Sequence, residues 1–406
     1  MKIIKSVLYF IIVLYYSPVQ VLATPVVNPL LGSDLAKLTV FAHTYTSTGA
    51  NSSVWGNTSS GDVATIGANS KVSGNMSSVN ASNVGGDVAI GAKVGGNLHS
   101  GGVTTTGDSA VVGGHIKSGG AATMGANAKV MGNLDAGGAT TTGDSATVGG
   151  SIQSGGATTV GARSVVAGNV ASVGALTVSA DGGWVGSTSS LASSPVDSIW
   201  RDSLATAESK DAQVTADTQA YLTAFGLGTA LATTITTNMT LIAGVYSAEN
   251  LSTTAGTTLT LDGQGLDNQS WIFNIADYLV TGASSTIKLI NAGADSSIFW
   301  NTGGYAALGA SSLFQGNIFA KTYISVGAST EVVGAGTSCG GIYSATSYVS
   351  TGDGSVIGGV GCTASQVTTA LAAPEPAILS LVLTGLVLIG LSLRRQKFLP
   401  AKGLAA

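Results

Sequence analysis

Residues 101–190 read GGVTTTGDSAVVGGHIKS (101–118), GGAATMGANAKVMGNLDA (119–136), GGATTTGDSATVGGSIQS (137–154), GGATTVGARSVVAGNVAS (155–172) and VGALTVSADGGWVGSTSS (173–190). The five blocks of eighteen run in register without a gap. His43–Ser60 and Gly61–Ser78 fit the same frame, and only Val79–Ser100 breaks it, with four extra residues. A short fixed period rich in Gly, Ala, Val and Thr marks a solenoid, whose coils bury their inner face against one another. Eighteen divides into three hexads, each usually opening on Gly, which suggests three short strands joined by tight corners.

Composition supports packed β structure over disorder. Gly reaches 58 of 406 residues and charged residues only 9%, yet mean hydropathy is positive and β-branched residues are plentiful. The seven Pro stand at positions 18, 25, 29, 195, 374, 376 and 400. Both β-rich stretches are therefore free of it, as ladder-forming strands require.

The two ends read as addresses. Lys2 and Lys5 precede an apolar run from Val7 to Tyr16, and Val21-Leu22-Ala23 offers small residues before a cut near Thr24, so residues 1–23 read as a secretory signal. Pro374-Glu375-Pro376 is followed by an apolar stretch, Ala377–Leu393, and then Arg394-Arg395. Alone, that is a marginal transmembrane helix with a positive flank. Taken together, residues 374–397 closely resemble the PEP-CTERM sorting signal of Gram-negative bacteria. The resemblance implies recognition of Pro-Glu-Pro by an exosortase-type processing enzyme and a destination at the cell surface or in the extracellular matrix. It also implies contact with the membrane only through the C-terminal helix, before processing.

Removal of both signals leaves 19 acidic and 10 basic side chains, a charge near −9. No basic stripe tracks phosphates, which argues against nucleic acid as a partner. Cys339 and Cys362 are the only thiols and occupy similar positions on neighbouring coils, after Gly327 and Gly352. A disulfide between them suits an exported chain; two free thiols are the alternative.

Past Ser194-Pro195 the pattern changes to a 3.6 period. Trp200, Leu204, Ala207, Val214, Tyr221 and Phe225 fall near one face of a helix over 197–226, which Asp197 or Ser198 can cap and Gly226 with Gly228 can end. Its apolar stripe is expected to pack on the flank of the coils. Residues 227–362 return to β character. Strand candidates are Thr258–Leu261, Ser270–Ile275, Thr286–Ile290, Ser297–Trp300 and Leu313–Ala320. Turn-like tetrads recur between strands: Gly-Ala-Ser-Ser (282–285, 309–312), Gly-Ala-Ser-Thr (327–330) and Gly-Asp-Gly-Ser (352–355).

Within this half, Gly244-Val245-Tyr246, Leu259–Gly265, Trp271-Ile272-Phe273, Ile298-Phe299-Trp300 and Phe314–Ile318 resemble the bacterial and fungal ice-binding-like (adhesin-type) domain, and Thr39–Asn57 resembles that family's opening strand. The resemblance implies a right-handed β-solenoid with one helix alongside. The departure is a longer, far more regular run of coils before the helix. The expected architecture is therefore all-β: a right-handed β-solenoid of roughly 18-residue triangular coils with one long α-helix packed alongside. Its parts are a cap or first strand at 24–42, regular coils at 43–190, the helix, and irregular coils at 227–362.

Numbered from Gly101, repeat positions 4 and 6 carry the large apolar members and point inward, so positions 3 and 5 point outward. Position 5 is Thr105, Thr123, Thr141, Thr159 and Thr177, with Thr65 in an earlier coil. Position 3 is Val103, Ala121, Ala139, Ala157 and Ala175. One face thus presents an uncharged Ala-x-Thr ladder, with rows about 4.8 Å apart between coils and about 6.8 Å along a strand. Such spacings approach repeats on ice, where methyls order a cage of water and hydroxyls anchor it. The second face (Ser109, Asn127, Ser145, Arg163 and Asp181 beside Val111, Lys129, Thr147 and Val165) and the third (His115, Asn133, Ser151 and Asn169 beside Lys117, Asp135, Gln153 and Ala171) are mixed, as solvated faces are.

Two functions fit. One is an ice-binding protein whose Ala-x-Thr face engages ice or ordered water. The other is a structural or adhesive matrix protein that uses coils as spacers, with extracellular polysaccharide as its partner. Enzyme chemistry finds no support. His43, His99 and His115 lack a Cys or carboxylate constellation and read as surface residues. Asp108 and Asp144 fall short of a calcium-binding repeat, and the Gly-rich blocks match neither a P-loop nor a dinucleotide fingerprint. No cofactor or metal is implied.

Overall fold

The computed structural model describes residues 37–85, 91–181, 183–293, 295–335 and 339–359. The signal at 1–23, the sorting segment at 374–397 with Pro374, Glu375, Pro376, Arg394 and Arg395, and Cys362 lie outside the described residues. Among those described, no helix is long and apolar enough to cross a membrane.

In the regular region each coil makes three short strands, for example Thr104–Thr106, Val111–Val112 and Ile116–Ser118. Strands pair in parallel with the residue eighteen positions on, as Thr104 with Ala122, Val111 with Lys129 and Ile116 with Leu134, but the longer coil makes the step wider, as Met76 with Leu98. The interior is narrow and filled by non-aromatic apolar groups such as Ala122, Met124, Val130 and Leu134, all buried. Glycine opens the repeat because coils touch there. A Cβ on Gly137 would lie 2.2 Å from the carbonyl oxygen of Gly119.

One repeat position differs from the alternation expected of it. Position 9 is not an outward strand residue of the second face. Ser109, Asn127, Ser145 and Arg163 adopt φ of 57°, 58°, 58° and 55°, the left-handed corner that turns the chain between strands. Position 15 stays at the surface as expected, with His115 exposed and Asn133, Ser151 and Asn169 half-exposed, and its side chains also bond from coil to coil. The Asn97 Oδ1 accepts from the backbone N–H of His115 (2.8 Å), His115 Nδ1 from Asn133 (2.9 Å), Asn133 Oδ1 from Ser151 (3.0 Å) and Ser151 Oγ from Asn169 (3.1 Å). Each side chain satisfies a donor that a corner leaves outside the strand ladders, worth about 1 kcal/mol apiece.

Beyond the helix the coils widen. Thr258 pairs with Thr286 and Ser270 with Ser297, and the interior becomes aromatic. Phe273 and Trp300 stack at 3.8 Å between ring centroids, flanked by Tyr246 at 5.4 Å and Phe314 at 5.0 Å. Buried indoles need partners, and Trp300 Nε1 donates to Gln315 O while Trp271 Nε1 donates to Leu241 O. Gly316, at φ 117°, divides the expected strand 313–320 into Leu313–Gln315 and Asn317–Ala320. The tetrads turn the same left-handed corner as the regular coils, at Ser284, Ser311, Ser329 and Gly354.

The two regions form one stack, joined by the opening strands. Val40 pairs with both Ile342 and Thr58, Thr46 with both Val349 and Ala64, and Ser53 with both Val356 and Lys71. The chain thus builds coils away from this joint to residue 190, returns through the helix, and climbs back from residue 229 to meet its own beginning.

The helix spans Ser198–Thr223, with Asp197 accepting from Trp200 N at 2.9 Å and Gly226 and Gly228 at positive φ after its end. Its buried side is not the apolar stripe. Tyr221 and Phe225 are exposed, whereas Glu208, Asp211, Thr215, Thr218 and Leu222 are buried. Polar groups can face the coils because they are satisfied there. Glu208 Oε1 meets His43 Nδ1 at 2.8 Å, and Thr215 and Thr218 donate to the helix carbonyls of Asp211 and Val214. Leu222 enters an apolar cluster with Phe41, Ile272, Phe299, Phe319 and Tyr343, and Ala212 and Val214, the latter from the expected apolar stripe, pack against its edge. The last turn is held from the coil side: Asn274 Nδ2 donates to Leu222 O and Gly226 O, and Asn301 Nδ2 to Gln219 O.

Candidate functional site

One face of the stack is a parallel sheet of fourteen strands, running from Leu176–Val178 at one end, through Thr46–Thr48 at the joint, to Thr234–Ile235 at the other. In the regular half its inward residues are buried, among them Thr104, Thr106, Ala122, Met124, Thr140, Thr142, Thr158 and Val160. The intervening Thr105, Thr123, Thr141, Thr159 and Thr177 are exposed and lie in direct register. Ala139, Ala157 and Ala175 are exposed beside them and Ala121 is half-buried. Among the described residues, no protein group accepts from or donates to those five hydroxyls. The column continues toward the joint as Asn83, Thr65 and Ser47. Side chains that alternate this strictly are aimed by the backbone, and the backbone is fixed by hydrogen bonds to the coils above and below.

The other residues read as surface or ligand candidates have structural partners. His43 pairs with Glu208, His115 accepts from Asn133, and His99 lies half-buried with its ring 5.9 Å from Trp200, edge to face. Burial, reinforced by nearby Lys117 and His115, holds the His99 imidazole below its usual pKa and so favours the neutral ring that packs there. The Lys117 ammonium sits 4.7 Å above the Trp200 ring, so the third face is partly covered by the start of the helix. Asp108 Oδ1 accepts from Ala126 N and Asp144 Oδ1 from Ala162 N, which makes both carboxylates clamps on the next coil. Cys339 is described and is not a free thiol; Cys362 lies outside the described residues.

A second feature of the same face was not singled out from the sequence. Where the regular half has Ala or Val at position 3, the other half has tyrosine. Tyr278, Tyr305, Tyr323, Tyr348 and Tyr45 stack in one row across the joint, with centroids 5.5, 4.8, 5.1 and 4.7 Å apart and ring planes within 21°. The signal was present. Each Tyr stands four residues before the Gly of a corner: Tyr45-x-x-x-Gly49, Tyr278-x-x-x-Gly282, Tyr305-x-x-x-Gly309, Tyr323-x-x-x-Gly327 and Tyr348-x-x-x-Gly352.

Comparison with known proteins points one way. Residues 152–350 match the family described as ice-binding-like. A stretch of 98 residues is 38% identical to ice-binding protein 1 of Shewanella frigidimarina, covering 24% of this chain and 11% of that protein. Another comparison, over 102 residues, is 36% identical to an ice-binding protein of Nostoc sp. and covers 25% of this chain and 35% of that one. The chain thus spans well under half the length of either relative. Among solved structures, the domain of the Shewanella ice-binding protein 1 aligns with a TM-score of 0.33 at 21% identity, over 51% of this chain and 92% of that chain.

Proposed function

We propose that this chain is an ice-binding protein and that Thr105, Thr123, Thr141, Thr159 and Thr177, with Ala121, Ala139, Ala157 and Ala175, form the surface that engages the crystal. The observation that carries the reading is the register: five exposed, uncharged Thr with free hydroxyls, one per coil, on a sheet whose inward residues are locked in the core. The match of residues 152–350 to the ice-binding-like family supports it. One Thr holds ice weakly, because it competes with bulk water for every hydrogen bond. Ranks held rigidly act together, since the ordering entropy is already spent in folding. Charges would hold their own hydration shells, and neither column carries one.

In this reading the solenoid is right-handed with triangular coils. Residues 1–23 direct export, residues 374–397 act as a PEP-CTERM signal for delivery to the cell surface or matrix, and Cys339 pairs with Cys362. The protein performs no chemistry; its partner is ice or ordered water.

Thermal hysteresis and ice recrystallisation inhibition by the purified protein test the proposal. Thr141→Tyr, bulky and central, is expected to lower both by more than tenfold while the circular dichroism spectrum and melting temperature stay as in the parent. Full activity in that folded variant sinks this face as the ice-binding surface.

A further inference from the structure

The tyrosine row sits on the same sheet as the threonine ladder, yet it cannot present the same surface. Rings stacked face on face cover one another's π faces and turn their edges and hydroxyls outward. Tyr45 is 40% exposed, and its four partners are half-buried along their rings. Burial and the neighbouring phenols both raise the pKa of Tyr45 and of Tyr323, as expected of hydroxyls gathered along one line. Among the described residues none of the five hydroxyls has a hydrogen-bond partner in the protein. Beside them runs the position-5 column, Ser47, Ser350, Ser325, Ala307 and Val280, which is in register with the row and carries no charge.

We propose that this row is a docking track for a linear, neutral, extended glycan, laid along the solenoid axis with one sugar per tyrosine rank. Three observations select that occupant. The ranks repeat at 4.7 to 5.5 Å, close to the rise per sugar of a fully extended β-1,4-linked chain, so one sugar falls at each of the five ranks, alternate sugars presenting opposite edges to the phenols. The track offers hydroxyls that both donate and accept, the pairing that sugar hydroxyls require. Neither of its two columns carries a cation for a phosphate or uronate or an anion for a basic peptide, and the exposed charges at the flanking corners, Asp277, Lys321 and Asp353, are of mixed sign, which favours a neutral polymer over nucleic acid or a polyanion. A flexible row would order at the polymer's expense, but here stacking has already fixed each ring. The sheet then carries two surfaces end to end: methyl and hydroxyl pairs for a crystal, and aromatic hydroxyls for a polymer.

The track does not depend on the ice reading, and its test needs no ice. The purified full chain is incubated with microcrystalline cellulose and, separately, with chitin at room temperature, and depletion from solution is measured against protein concentration. The parent is expected to bind at least one of them. A triple variant, Tyr305→Phe, Tyr323→Phe and Tyr348→Phe, keeps the stacked rings and removes only hydroxyls, and it is expected to bind at least tenfold more weakly with an unchanged melting temperature. Thr141→Tyr, in the other half of the sheet, is expected to bind glycan as the parent does. Failure of the parent to bind either polymer overturns the proposal. So does undiminished binding by the triple variant, which would assign the row to packing alone.

Discussion

The regular coils of residues 43–190 and the wider coils of residues 229–358 share one corner and one sheet, and they differ in what fills them. In the first, Val, Ala, Leu and Met close a narrow interior, and successive coils superimpose at eighteen residues. In the second, Phe273, Trp300 and Phe314 prop the walls apart, strands lengthen to five or six residues, and the spacing between paired residues varies. Interior size therefore sets circumference, and uniform circumference is what makes a lattice. Where every coil has the same length each repeat position forms its own column; where lengths vary, a column such as the tyrosine row forms only beside the shared corner, which resets the register. The wide half gives up that regularity and gains a deep aromatic core, and a second cluster outside that core seats Leu222 of the helix.

The sharpest way to break this contrast is to shrink the core on each side. Trp300→Ala should cost about 3–5 kcal/mol, because a stacked, fully buried indole leaves a cavity that rigid neighbours cannot close. Val148→Ala in a narrow coil removes far less and should cost about 2 kcal/mol. Chemical denaturation of both variants checks the ratio, and equal losses would refute the view that the wide coils depend on their aromatics.

A smaller effect concerns the joint. Tyr343 is buried on the cluster that receives the helix and donates to Leu38 O at 2.9 Å. Burial pushes its phenol far above the ordinary tyrosine value. The folded state thus holds that proton more tightly than the unfolded chain does, so its contribution is intact below pH about 10 and is lost as pH rises beyond it. Tyr343→Phe should cost about 1 kcal/mol at neutral pH and flatten the alkaline limb of stability against pH. An alkaline limb as steep as the parent's would show that other groups govern it.

The smallest effect should be a gain. Arg163 holds the left-handed corner at φ 55°, where the preceding coil places Ser145 and the one before that Asn127. Arg163→Asn relieves a strained backbone with a residue that adopts it readily, for about 0.5–1 kcal/mol of added stability. A lower melting temperature would mean that the contact of Arg163 with Ser145 outweighs the strain.

Much of this could be read from the chain. The eighteen-residue period located the coils, alternation separated Thr141 from its inward neighbours Thr140 and Thr142, and strands such as Ser270–Ile275 and Thr286–Ile290 carried the apolar and β-branched residues that define them. The misreadings share one cause. Position 9 was assigned by alternation, although a corner interrupts the strand there. Hydropathy alone misplaces the helix face, because Glu208 turns inward to meet His43 on the coils and Asp211 is buried one turn on.

Sequence by itself determined what repeats: the period, the corner chemistry, and the order of small, inward and outward residues, since these are local consequences of Cβ sterics and strand pleat. Tertiary structure alone decided what meets. That Tyr45 completes a row begun at Tyr278, that the opening strand serves two stacks at once, and that a polar helix face is the buried one all depend on residues hundreds of positions apart becoming neighbours. No period or propensity encodes such a meeting; it follows from the chain winding away from its first coil and returning to it.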